Sequence, residues 1–188
     1  MKLSPRQRSF ILNEQILIPF VINFAFNAAD VWLVFRHFAP IPMWTLPGVA
    51  LDLISAIPGL PFLLCLITTP LVKRAVRKGK VDALPQGPEA YALLRRLPAS
   101  NLWRSTWLGV AAQLAISPVL LGSFLLLGLD QLSLEAYIWL KGTLCGLLAA
   151  IVSPVATLYA LAQVSGEPAP PRAAPEPAFE PVDVTPPA

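Results

Sequence analysis

Residues 53–72 read LISAIPGLPFLLCLITTPLV, twenty residues without a charge. A hydrocarbon core about 30 Å thick needs roughly 20 apolar helical residues to cross it, so this stretch predicts a membrane span. Residues 105–129 and 142–166 are two further uncharged runs, and residues 15–35 form a fourth that only Asp30 interrupts. The chain therefore reads as an all-α integral membrane protein with four transmembrane helices, at about 12–35, 46–72, 105–128 and 136–163.

The 188 residues are 55% hydrophobic and 13% charged, about one domain and far too apolar for an ordinary soluble one. Most of the basic residues fall in residues 73–104, where Lys73, Arg74, Arg77, Lys78, Lys80, Arg95, Arg96 and Arg104 face only Asp82 and Glu89. With Lys2, Arg6 and Arg8, this loop puts both termini in the cytoplasm, because basic loops near spans resist translocation. The net charge of +3 follows from that bias. No basic folded module is present, so nucleic acid is not an expected partner. The basic start lacks a small-x-small cleavage site, which keeps the first segment as helix 1.

Domain 1–164 thus holds the four helices, and 165–188 is a proline-rich acidic tail, expected to be disordered for want of anything to bury. Within the basic loop, Tyr91, Leu94 and Leu97 share a helical face between Pro88 and Pro98. That segment reads either as an interfacial helix or as a solvated connector touching anionic lipid headgroups. All five tryptophans fall near a membrane interface, Trp32, Trp44 and Trp139 outside, Trp103 and Trp107 inside. Cys65 and Cys145 lie on different spans about 13 Å apart in depth, so no disulfide is expected.

Helix 2 ends Ile67-Thr68-Thr69-Pro70 and helix 4 ends Ile151-Val152-Ser153-Pro154. The shared Ile-x-Ser/Thr-Pro pattern is open to two readings, a duplicated helical hairpin or convergent kinks. The ending Thr69-Pro70-Leu71-Val72-Lys73-Arg74 resembles that of small uncharacterised bacterial inner-membrane proteins. The resemblance covers this helix end alone; it implies the bacterial inner membrane as location and no activity.

Polar groups in hydrocarbon must find partners or water. Asn23, Asn27 and Asp30 are spaced four and three apart, on one face of helix 1 that should look inward. Asp52 on helix 2 lies about 10 Å outward of the midplane, and Lys141 on helix 4 and Asp30 lie at a similar depth. The expectation is an ion pair of Asp52 with Lys141, with Asp30, Asn27 and Asn23 nearby. Lys141 also has the option of snorkelling to the headgroups. Two readings stay open: a cluster that fixes the helix arrangement, and a site for a small ion, proton or polar solute.

Pro58, Gly59 and Pro61 near the centre of helix 2 predict a kink or break, a candidate hinge, since proline removes a donor and crowds the preceding turn. Helix 4 presents Gly142, Gly146, Ala149 and Ser153 as a small-residue face for close helix packing, within the monomer or in a homodimer. His37 is the sole histidine, and no nucleophile elbow, metal-ligand pair or phosphate loop occurs, so neither enzyme activity nor a cofactor is expected. The exception kept open is an intramembrane hydrolase using Asp30 and Asp52 as a close pair. The functional expectation is a small permease or ion/proton-coupled transporter. The alternative is a non-catalytic assembly protein that binds a membrane-protein partner.

Overall fold

The computed structural model describes residues 8–38, 40–81, 98 and 100–164. The segment of Tyr91, Leu94 and Leu97, read either as an interfacial helix or as a connector, and the proline-rich tail lie outside the described residues. Helix α1, Ile18–Phe35, continues a π-helical segment, Phe10–Leu17. Pro19 explains the change of pitch: it has no N–H, so the carbonyl of Gln15 loses its α-helical donor and the preceding ladder widens, Ile18 N–H bonding Asn13 O. Helix α2 is Val49–Arg77, α3 is Asn101–Leu126 and α4 is Leu134–Val164. Counting α1 with its π-helical start, all four are long and apolar enough to cross a membrane.

The boundaries differ from the sequence expectation where caps decide them. Helix α2 runs on through Lys73 and Arg74 and stops at Gly79, which takes the left-handed conformation with φ 67°. Gly79 N–H bonds Val76 O and Lys80 N–H bonds Ala75 O, the paired bonds that close a Schellman cap. Gly128, φ 63°, ends α3 in the same way, with Leu129 N–H on Phe124 O. Helix α3 begins at Asn101, which draws Arg104 out of the expected loop and into the helix.

Of the kink or break expected at Pro58 and Pro61, the break does not occur: α2 runs through both as one helix. What the prolines accompany instead is a close approach. A Cβ on Gly109 of α3 would lie 2.7 Å from Pro58 O, so only glycine admits the contact there.

Helix α4 is the centre of the bundle, with 61% of its most apolar stretch buried against 11–28% for the other three. It packs on α1 and α2, and α3 packs on α2. Its small face makes this position available. Gly142 and Gly146 meet the rings of Phe24 and Phe20 on α1, where added Cβ atoms would lie 3.0 Å and 2.9 Å away. Ala149 and Ser153 continue the same buried stripe. The face is therefore filled by α1 of the same chain, and a second copy would have to use another surface. Outward-facing Phe26, Leu114, Val119 and Leu126 are widely exposed, an apolar perimeter suited to lipid.

Two short strands, β1 Ile41–Pro42 and β2 Gln131–Leu132, pair antiparallel and close one end of the bundle. Beneath this ribbon lies the main core, where Val31, Phe35, Ile41, Met43, Leu53 and Tyr137 are buried. At the opposite end Phe10 packs against a smaller cluster of Val72, Val81, Ala160 and Leu161. The start of the first span and the ends of α2 and α4 thus share one end, which also carries Lys73 and Arg74.

Candidate ion-binding site

Toward the ribbon end, Lys141 of α4 bridges two carboxylates. Its Nζ lies 2.6 Å from Asp30 Oδ2 of α1 and 2.7 Å from Asp52 Oδ2 of α2. The residue is only 2% exposed, so the ammonium points into the bundle and does not snorkel. The carboxylates differ: the Asp30 side chain is 42% exposed and that of Asp52 25%. Asp52 sits in the first turn of α2, where the helix dipole favours an anion.

Tyr137 completes the cluster, and sequence reasoning missed it. It stands one turn before Lys141, fully buried, and its hydroxyl donates to Asp52 Oδ2. Phe35 packs edge-on against its ring at 5.5 Å, which fixes the direction of the hydroxyl. The available signal was the spacing of four between Tyr137 and Lys141, which puts both on one face.

Asn23 and Asn27 do not join the cluster. Each amide donates to the carbonyl four residues back on its own helix, Asn23 to Pro19 at 2.8 Å and Asn27 to Asn23 at 2.9 Å. Such back-bonding gives the amide an acceptor without any second helix, while Asn27 itself is buried on the inward side of α1. Gly59 faces open space.

Two further polar groups hold the basic end. Arg104, 1% exposed, donates to Thr69 Oγ1 at 3.0 Å and Asn101 Oδ1 at 2.6 Å and lies 3.9 Å from the centre of the Tyr159 ring. Gln15 Oε1 accepts from Ser153 at 2.9 Å and Thr157 at 2.7 Å, tying the π-helical segment to α4. The two Ser/Thr-Pro motifs thus do different work, Thr69 receiving Arg104 and Ser153 reaching Gln15. Cys65 and Cys145 are buried free thiols.

Chemically, the cluster holds two acids around one base, so with every group ionised it carries one net negative charge. The two carboxylates share Lys141 Nζ as a common donor. Among the described residues no group of three His, Cys, Asp or Glu side chains is placed to hold a metal ion. These features define a multi-pass helical membrane protein with a cluster of Lys141, Asp30, Asp52 and Tyr137 inside the bundle. No protein family, curated protein or solved structure matches the chain.

Proposed function

We propose that this protein is a small permease or ion/proton-coupled transporter of the bacterial cytoplasmic membrane, with Asp30, Asp52, Lys141 and Tyr137 as its coupling site. The observation that carries the reading is Lys141, one buried cation shared by two carboxylates on two other helices. Asp52 has two donors on one oxygen, whereas among the described residues Asp30 has Lys141 alone, and it has the larger opening. Asp30 is the carboxylate open to exchange. A proton or cation arriving there competes with Lys141 for the same group and loosens α1 from α4 at that level. Binding then favours whichever helix arrangement no longer needs the bridge, the condition for coupling an ion to a movement. Lys73 and Arg74 at the helix end support a cytoplasmic position for the basic end, hence for both termini.

The second reading, an assembly protein, keeps the outer perimeter and the basic loop, which meets anionic headgroups, as its surfaces. Purification of the tagged protein from its native membrane in mild detergent, with mass spectrometry of what accompanies it, separates the two. The transporter reading expects this chain alone, as monomer or homo-oligomer. A different protein at near-equal amount overturns it in favour of assembly.

A further inference from the structure

Helices α1 and α2 flank a cavity of about 440 Å³ at the basic end, floored by Ser153 of α4. Ile18 and Ile22 form one wall and Leu64, Ile67 and Leu71 the other. Leu64 is half-buried and the other four are exposed, so the groove opens sideways toward the bilayer. Along α2 its lining runs from Leu64 to Ala75, about 16 Å at 1.5 Å per residue. That matches one leaflet of hydrocarbon, half of about 30 Å.

The polar rim is specific. Glu14 and Lys80 both line the groove, and among the described residues neither has an ion-pair partner. Gln15 lines it too. Its carbonyl oxygen is taken by Ser153 and Thr157, and its amide N–H₂ has no acceptor among the described residues. The rim therefore offers one anion, one cation and one neutral donor beside an apolar slot as long as an acyl chain's leaflet.

We propose that this groove holds one zwitterionic phospholipid of the phosphatidylethanolamine class. One acyl chain lies between Ile22 and Ile67, the phosphate meets Lys80, and the headgroup ammonium meets the Glu14 carboxylate. The Gln15 amide donates to an ester or phosphate oxygen. Charge complementarity selects this headgroup: a phosphatidylglycerol carries the anion that suits Lys80 but leaves Glu14 unpaired. The site shares no residue with the Lys141 cluster, and its occupancy does not depend on transport.

The test uses the full chain reconstituted in vesicles of equal palmitoyl-oleoyl phosphatidylethanolamine and phosphatidylglycerol, released into mild detergent and read by native mass spectrometry. The expected result is one retained phosphatidylethanolamine per chain. Glu14→Gln should lower the ethanolamine-to-glycerol ratio by about threefold, the scale of a partly exposed ion pair. Ile22→Trp fills the slot and should abolish retention, as should Leu71→Trp from the opposite wall, so that a folding defect in one variant leaves the other decisive. Absence of retained lipid in the unaltered protein, equal retention of both lipids, or full retention by a filled-groove variant that elutes normally would overturn the proposal.

Discussion

Tyr137 and Lys141, one turn apart on the central helix, donate to the same oxygen of Asp52, its Oδ2. Lys141 then reaches past Asp52 to Asp30, so one side of α4 binds both α1 and α2. A cluster of this shape can serve as a lock on the bundle, as an exchange site, or as both. Stability and flux measurements on single variants separate these roles.

Lys141→Met leaves two carboxylates in the bundle without their cation. Breaking a fully buried pair costs about 3–5 kcal/mol, and the partial exposure of Asp30 and Asp52 puts this loss at or below the lower end of that range. Unfolding in detergent, followed by tryptophan fluorescence, should show that loss, and adding Asp30→Asn and Asp52→Asn to the same chain should restore most of it. Stability of the single variant equal to that of the unaltered protein would mean the bridge contributes nothing.

Tyr137→Phe removes one donor to Asp52 while keeping the ring against Phe35. The cost should be about 1.5–3 kcal/mol, the range for a hydrogen bond to a charged group. The same unfolding assay reads it, and a smaller loss than for Lys141→Met is the required order.

Gly146→Val drives a side chain into Phe20, whose ring already lies 2.9 Å from where a Cβ would sit. Overpacking of this kind costs about 1–3 kcal/mol, and the variant should release α1 from α4 to protease or hydrogen exchange. Gly59→Ala meets nothing within 4 Å and should be neutral or stabilising by up to about 1 kcal/mol. Loss of transport in a stable Gly59→Ala variant would establish a hinge that the unbroken helix does not require.

Arg104→Lys keeps the charge but loses the planar fork that reaches Thr69 and Asn101 together and stacks on Tyr159. Loss of those bonds should cost about 1–3 kcal/mol and speed hydrogen exchange at the start of α3 first, while α4 beside Lys141 stays protected.

How legible this was depended on whether a residue had an alternative to crossing between helices. Asp30, Asp52 and Lys141 could be brought to one depth by counting residues, because an ionised group in hydrocarbon has few other places to go. Asn23 and Asn27 had one, the carbonyl of their own preceding turn, and took it. Arg104 was hidden by its neighbourhood: it ends a run of basic residues and reads as loop until α3 is seen to start at Asn101. Tyr137 near a helix end looks like one more interfacial aromatic, and only its register with Lys141 marks it. The two-residue strands carry too short a pattern to be read at all, although the main core is assembled under them. The small face of helix 4 was visible as Gly142, Gly146, Ala149 and Ser153; that it places α4 at the centre follows from the phenylalanines of α1 that fit it.

The most direct test of the exchange site is ion flux into proteoliposomes of the purified chain under an imposed proton or sodium gradient. The account predicts faster dissipation than in protein-free vesicles, abolished by Asp30→Asn in a variant that elutes and melts like the unaltered protein. Flux no faster than in empty vesicles, or unchanged in Asp30→Asn, would contradict it and leave the Lys141 bridge as a structural lock.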